Sequence, residues 1–232
     1  MLKKIKKTQK GPSMIEVALG ACLSVALGVV LGAAYMVARP VTKVTSIPKD
    51  APSSSIYYIE GAKDLNRTGI ADKRKQFTNG ESVVVDEGEL NAFFSLLSAR
   101  AVPTSAKPKA GDKAPPPPPP AEAKVIDTSA LNARIRESKI QFGDTVTINA
   151  FGFSYSFICQ AVGTFSKHGS EYEFDPDSFM VGGCPVQRLI LIRSYVMNHL
   201  LFPTAPPDDV AAAWSRLTDV TLDGSKLRLT MP

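Results

Sequence analysis

The chain has 232 residues, enough for an anchor and one domain of ordinary size, and a net charge of +5 at pH 7. The excess is local: up to Pro40 there are six basic residues and one acidic residue, and the 21 basic and 21 acidic residues beyond it cancel. A nucleic-acid interface needs Lys and Arg clustered on the folded part of a protein. The charge pattern therefore argues against a nucleic-acid partner and favours a membrane with anionic headgroups.

Residues 12–39 are predicted to form a transmembrane helix. The 22 residues from Val17 to Ala38 carry no charge, and a helix of that length covers about 33 Å, against about 30 Å for a hydrocarbon core. A cleaved secretory signal has a shorter apolar core of about 7–15 residues, so the length favours retention. Five lysines in the basic segment 1–11 precede the span. The positive-inside bias then predicts a cytoplasmic N-terminus in a bacterial inner membrane and a periplasmic or extracellular remainder.

Small residues recur at every fourth position of this span. They are Gly20, Ser24, Gly28 and Gly32. A stripe of small side chains lets two helix backbones approach closely, which favours association in lipid. The pattern predicts a helix-packing face for a homo-oligomer or a different helix partner. The alternative is the ordinary abundance of small residues in membrane helices.

The stretch "KGPSMIEVALG" at residues 10–20 leads into the span. Ser13 followed by Glu16 three residues later is typical of a capping box, and a carboxylate is favourable at a helix N-terminus. The same stretch resembles the N-terminus of type IV prepilins and pseudopilins, in which a short basic leader ends in Gly and a Glu stands fifth in the mature chain. The resemblance implies processing after Gly11 and an assembly role for Glu16. A plain capped anchor is the primary interpretation.

Beyond the span the composition divides the chain. Residues 40–55 are rich in Pro and Ser and predicted to be a tether. Residues 56–232 are predicted to form one extracytoplasmic α+β domain. Within that domain, residues 102–124 contain six consecutive prolines, a composition that favours extended polyproline II and predicts an inserted spacer.

The predicted elements of the outer domain follow in chain order. Two short strands cover 55–60 and 82–86, with no clear pattern in 62–81 between them. A helix follows over 86–100, because Asp86 is a good N-cap and apolar residues recur at i, i+3, i+4 and i+7. After the insertion, alternating apolar residues predict about four antiparallel strands, with turns at Gly143-Asp144 and His168-Gly169.

The C-terminal part is predicted to contain two helices and a hairpin. The first helix begins at Pro185 and extends to Leu201, the second is capped by Asp208, and the hairpin turns at Asp223-Gly224. The fold class is therefore α+β: a single N-terminal transmembrane helix followed by an antiparallel β-meander packed with two to three helices.

This order of elements resembles the YpmS-type family of anchored extracytoplasmic bacterial proteins over most of residues 82–232. The likeness rests on "VVVDEGELNAFF", on a helix with a Gly–Pro start at 182–201 and on the final "DVTLDGSKLRLT". It implies a lipid or hydrophobic-ligand role for the outer domain.

The cysteines predict the redox environment. Cys22 lies in the span, and Cys159 and Cys184 are the two in the outer domain. In an oxidising compartment such a pair favours a disulfide, worth roughly 3 kcal/mol in the chain-entropy model. The alternatives are two buried thiols, or a Cys184 whose pKa is lowered at a helix N-terminus.

The sequence shows no pattern of catalytic chemistry. His168 and His199 belong to no metal-spaced cluster, and no CxxC, HExxH, GxSxG or P-loop motif occurs. We therefore predict no catalytic, cofactor-binding or metal residues and no cofactor. The expected function is a non-enzymatic, single-pass membrane-anchored protein whose outer domain serves interaction or hydrophobic-ligand binding. The alternative is a pilin-like subunit.

Overall fold

The structure, a computed structural model, describes residues 13–44, 46, 48–50, 55–62, 67–101, 125–150, 152–187 and 194–232. Gly11 and the Pro-rich insertion 102–124 lie outside the described residues. The described chain has one N-terminal apolar helix, antiparallel sheets and four further helical segments. The α+β prediction is therefore confirmed.

Helix α1, Met14–Val37, is long and apolar enough to cross a membrane, close to the predicted span 12–39. None of its residues is buried against the domain. The predicted capping box is present at its start. The Glu16 amide donates to Ser13 Oγ at 3.2 Å, and the Ser13 amide donates to Glu16 Oε2 at 2.8 Å. Two amides that have no partner within the helix are thereby satisfied.

Part of the predicted tether belongs to the domain. Strand β1, Thr42–Val44, pairs in parallel with β2, Tyr57–Ile59. The folded part of the chain therefore begins before residue 56, inside the segment that composition alone assigned to a tether.

A six-stranded antiparallel sheet forms the centre of the domain. Its strands are β4 Ile126–Thr128, β5 Asn132–Arg136, β6 Lys139–Ala150, β7 Phe153–His168, β8 Glu171–Val181 and β9 Cys184–Pro185. Strands β5 to β8 are the predicted four-stranded meander, with the predicted turn at His168-Gly169. Strands β4 and β5 pair with successive parts of β6, so one edge of the sheet is made of two short strands with a break between them.

The predicted turn at Gly143-Asp144 is wrong, because both residues lie in the middle of β6. The ring of Tyr58 in β2 lies directly over Gly143, where an added Cβ would come within 2.2 Å of Tyr58 Cε2. Gly143 is therefore required for a close approach of β2 to the sheet and not for a turn.

A three-stranded antiparallel sheet lies beside the larger one. Its strands are β3 Val83–Asp86, β10 Asp219–Asp223 and β11 Lys226–Thr230, in the order β10-β11-β3. The predicted C-terminal hairpin is confirmed, with Gly224 at φ +60° in the turn.

Four helical segments in the described part of the chain pack on the sheets. They are α2 Arg67–Thr78, α3 Glu87–Ala101, the π-helical α4 Met197–Leu201 and α5 Asp208–Trp214. Helix α2 falls in the segment that showed no pattern in the sequence. Asp86 caps α3 as predicted, accepting the Glu89 amide at 2.8 Å. The predicted start of a helix at Pro185 is wrong, because Pro185 lies in strand β9 and pairs with Met180 of β8.

Helix α3 protects the free edge of β5. Asn91, 4 % exposed, accepts the Ala133 amide at 2.6 Å and donates to the Ala133 carbonyl at 2.9 Å. Glu87 accepts the next available amide of the strand, that of Ile135, at 2.9 Å. These buried side chains replace the missing neighbouring strand, so their polarity is explained by the fold.

Candidate functional site

One carboxyl stands in the apolar face of the central sheet. Asp144 lies on β6 between Phe142 and Val146, on the side that packs against α3 and α4, and is 3 % exposed. Phe142 is the hub of this core, with four other rings at centroid distances of 4.9 to 6.5 Å. A carboxyl at such a position costs free energy unless it is hydrogen-bonded or serves a function.

The break between β4 and β5 lies opposite Asp144. There the Ser129 amide donates to the Thr145 carbonyl at 3.0 Å, and the Thr145 amide donates to Ser129 Oγ at 3.0 Å. The Ser129 hydroxyl in turn donates to the Asp144 carboxylate. Ser129 thus replaces a normal strand pairing and orients the carboxyl at the gap in the sheet edge.

A cavity of about 150 Å³ adjoins this gap. It lies between the second half of α3, the edge segment 126–131 and the end of α4. Its apolar wall is made of Phe94, Leu97, Ile126, Leu131, Leu201, Phe202 and Pro203, and its polar groups are those of Ser98, Asp127, Thr128, Ser129, Asp144 and Thr204. An apolar cavity with a few converging polar groups is the usual form of a small-ligand site. A π-helical turn at its wall is also frequent at functional sites.

Burial raises the pKa of Asp144 to about 6, and the Asp127 charge adds to this effect. The hydrogen bonds from Ser129 and from the Thr145 amide act in the opposite direction. Near neutral pH the group therefore exists in both protonation states. It can accept a hydrogen bond from a ligand donor as the carboxylate, and donate one when protonated.

Cys159 faces Asp144 directly across the β6–β7 pair. Burial, with a smaller contribution from the Asp144 charge, raises the pKa of the Cys159 thiol to about 12. The thiol is therefore neutral and weakly nucleophilic at physiological pH. It acts as a small apolar filler beside the carboxyl.

The predicted disulfide between Cys159 and Cys184 is absent, and both are free thiols. Cys159 pairs with Val181, and Val181 pairs with Cys184, so one whole strand separates the two cysteines. Two strand spacings amount to about 9.5 Å, beyond the roughly 7 Å that a disulfide allows between Cα atoms. The alternative of an activated Cys184 is also wrong, since the residue lies in a strand and burial raises its pKa.

The predicted helix-packing residues lie along the exposed surface of α1. No atom outside the helix's own backbone comes within 4 Å of a Cβ placed on Gly20, Gly28 or Gly32. The Ser24 hydroxyl donates to the Gly20 carbonyl at 2.9 Å, which satisfies it within the helix. The packing face stays a prediction.

A second cavity, of about 100 Å³, lies between α2, α5 and the three-stranded sheet. Its wall includes Phe77, Leu90, Val210 and Trp214, and the Arg74–Asp209 ion pair joins α2 to α5 beside it at 2.8 Å. Its lining is apolar throughout, and Lys73 and Arg74 contribute only the stems of their side chains. With no buried polar group to orient a ligand, this space has the character of a loosely filled core.

Within the part of the chain that the structure describes, no group of three or more His, Cys, Asp and Glu residues is arranged to hold a metal ion. His168 shares a hydrogen bond with Ser166, and His199 stacks on Tyr195 at 4.2 Å. Both histidines are accounted for by local contacts.

Neither Asp144 nor Ser129 is predicted from the sequence as a site residue. The signal was present in β6, where Phe142, Asp144, Val146 and Ile148 alternate with polar residues or glycine. A carboxyl in the apolar row of an alternating strand is unusual and indicates a possible site. Because Gly143 precedes it, the Gly-Asp pair is interpreted as a turn instead. Comparison of the chain with protein-family models, with curated proteins and with solved structures finds no match.

Proposed function

We propose that this is a single-pass, membrane-anchored, non-enzymatic protein whose outer domain binds a small apolar molecule in the Asp144 cavity. The ligand, or the inserted end of a larger one, carries one hydrogen-bond donor. The observation that carries the proposal is a carboxyl 3 % exposed at the wall of a cavity made mainly of apolar side chains.

The volume limits the ligand. A dry protein cavity of about 150 Å³ is known to hold a single benzene molecule, and this cavity has the same size. It therefore fits one ring or a short branched chain. A complete lipid tail exceeds the space.

The charge limits the ligand's polar group. A carboxylate in a site of low polarity attracts a donor, above all a cationic one, and repels another carboxylate. Alcohols and amines are therefore preferred to acids. The Ser129 hydroxyl already occupies one position on Asp144, which leaves the remaining acceptor positions for the ligand.

The anchor supports the same function. Apolar molecules concentrate in bilayers, and α1 holds the domain beside one. Ile126, at 45 % exposed, is at once part of the cavity wall and part of the protein surface, so an apolar route leads into the cavity from outside. With the N-terminus cytoplasmic, the domain stands on the periplasmic or extracellular side.

The test is thermal unfolding of the full chain in lipid nanodiscs with benzyl alcohol, benzylamine, toluene or benzoate. A ligand that binds only the folded state raises the melting temperature. The increase grows with the ratio of ligand concentration to its dissociation constant, because the stabilising free energy is RT ln(1 + L/Kd) at a free ligand concentration L. We expect the largest shift from benzylamine, a smaller one from benzyl alcohol, a still smaller one from toluene, and no shift from benzoate. Asp144→Asn should remove the preference for the amine over the alcohol.

The control addresses effects of these compounds on the bilayer. Ser98→Leu places a larger side chain at the cavity wall, and Ala99→Leu adds the same side chain at the exposed neighbouring position of α3. Ser98→Leu should abolish the shifts, and Ala99→Leu should retain them. Equal shifts in the two variants would mean that the cavity is not the binding site.

A further inference from the structure

An exposed apolar surface lies at the end of the central sheet where β6 turns into β7. It consists of Val125, Ile126, Ile148, Phe153 and Tyr155, which we call the hairpin patch. Phe153 is 79 % exposed and Tyr155 is 44 % exposed. Ile126 pairs with Ile148, and Ile148 with Tyr155, so the members are neighbours on adjacent strands.

The hairpin that carries the patch has no charge. Residues 146–166 contain no Asp, Glu, Lys or Arg. Water-exposed β-hairpins normally carry charged residues on their exposed positions, which prevent association of sheet edges. Exposed large apolar side chains in one place, without charges, are typical of an interaction surface.

The hairpin patch lies next to the point where α1 leaves the domain. The Tyr155 hydroxyl donates to the carbonyl of Ala38, the residue after α1, at 2.8 Å. The Gly183 amide donates to the Met36 carbonyl at 3.0 Å. At Gly182 a Cβ would come within 2.0 Å of the Val37 carbonyl oxygen, so the β8–β9 turn is shaped to receive the end of the helix.

The bulk of the domain lies at the other end of the same strands. Strand β7 has 16 residues, about 50 Å at 3.3 Å per residue. Beside its far end the Tyr172 hydroxyl donates to the Thr218 carbonyl, and Trp214 Nε1 donates to the Tyr172 carbonyl. The α5 helix and the three-stranded sheet are thus remote from α1, and the β6–β7 turn is at the end of the sheet nearer to α1.

From these contacts we infer that the hairpin patch inserts into the interfacial region of the bilayer leaflet from which α1 emerges. Aromatic side chains favour this region, because their rings are apolar and the tyrosine hydroxyl can remain hydrated or hydrogen-bonded. The inference rests on the membrane anchoring in the proposed function, and not on ligand binding. Since Ile126 belongs to both features, insertion would place the cavity entrance beside the lipid.

The test uses the full chain reconstituted in vesicles of phosphatidylcholine and phosphatidylglycerol, with bromine placed on the acyl chains near the headgroup or near the chain ends. Bromine quenches tryptophan at short range. The unmodified chain has one tryptophan, Trp214, at the remote end of the domain, and serves as the baseline. F153W adds an indole to the patch at a highly exposed site, where folding is not at risk.

Two further variants complete the design. E171W places an indole at the exposed start of β8, at the far end of the sheet, and L27W places one in the middle of α1. We expect loss of the emission added by F153W with shallow bromines, loss of the emission added by L27W with deep bromines, and no loss for E171W.

The outcomes distinguish insertion of the hairpin patch from membrane anchoring by α1 and from ligand binding in the Asp144 cavity. Quenching in L27W without quenching in F153W overturns the hairpin inference and leaves the anchor intact. If neither F153W nor L27W is quenched, both the hairpin inference and the membrane anchor are overturned. Blue-shifted but unquenched emission from F153W would show a protein contact in place of lipid, and would also overturn the inference. Each result is independent of whether the Asp144 cavity binds a ligand.

Discussion

Asp144 and Cys159 face each other across the β6–β7 pair, and both are buried against α3 and α4. The carboxyl disfavours a second charge beside it, and burial disfavours any charge on the thiol. The pair therefore contains one titratable group near neutral pH, the carboxyl, and a thiol that remains protonated. The chemistry of this part of the core depends on Asp144 alone.

The stability of the domain should depend on the protonation of Asp144. The pKa of this carboxyl rises from 3.8 to about 6 on folding, so the folded state binds more protons than the unfolded state between pH 4 and 6. Its stabilising contribution is complete below pH 4 and is lost as the pH rises through 6. The total change is about 3 kcal/mol, at about 1.4 kcal/mol per pKa unit.

Asp144→Asn should remove this pH dependence. Between pH 4 and 7 the free energy of unfolding of the variant should therefore rise relative to that of the native chain. Urea unfolding of the full chain in detergent, followed by Trp214 fluorescence at each pH, measures it. Asp177→Asn is the control, because Asp177 forms an exposed ion pair with Lys139. If the native chain and Asp144→Asn had parallel pH profiles, Asp144 would have an ordinary pKa.

Cys159 and Cys184 should be unlinked in protein extracted from native membranes. Without reductant, neither should react with an alkylating reagent in the folded state, because both are buried. Both should react after denaturation. Intact mass measurement should count three added groups after denaturation, one of them on Cys22 in α1. A requirement for prior reduction would contradict the strand register that separates the two residues.

Asn91→Ala should destabilise the domain by about 2–4 kcal/mol. The substitution leaves the buried Ala133 amide and carbonyl without their side-chain partner, and each unsatisfied buried group costs about 1–3 kcal/mol. Urea unfolding measures the loss. Ser95→Ala, one turn further along α3, is the control and should change the free energy of unfolding by less than about 1 kcal/mol.

Gly143→Ala should displace β2 from the central sheet, because the new Cβ would overlap the Tyr58 ring. We expect a loss of about 1–3 kcal/mol, typical of overpacking. The double variant with Tyr58→Ala should be less destabilised than the sum of the two single variants, since the overlap then disappears. Additive effects would show that the ring does not rest on Gly143.

The N-terminus decides between an anchor and a pilin-like subunit. In the structure Glu16 is engaged with Ser13, and α1 ends at Val37, three residues before Pro40. Both features fit a plain anchor. We therefore expect intact mass measurement of protein from native membranes to show residues 1–11 retained. A chain that begins after Gly11 would instead assign Glu16 to assembly.

Local signals in the sequence were sufficient for several elements. The charge-free run predicted α1, Ser13 and Glu16 predicted its cap, Asp86 predicted the start of α3, and Asp223-Gly224 predicted the last hairpin. Each of these depends on residues a few positions apart, so helix capping, apolar periodicity and turn chemistry determine them without the rest of the chain.

Contacts between distant segments decided the remainder. Gly143 is typical of a turn in the sequence. In the structure a glycine is needed there because the ring of Tyr58, 85 positions earlier, lies directly over it. Cys159 and Cys184 form a plausible pair by count, but the strand that contains Val181 runs between them.

Asp144 becomes a candidate site residue only when the break between β4 and β5 and the end of α4 meet beside it. The sequence by itself determined where the long apolar helix lies and which segments alternate. Strand register and close packing depend on the whole chain. They decided which side chains share the cavity and that Cys159 and Cys184 lie too far apart for a disulfide.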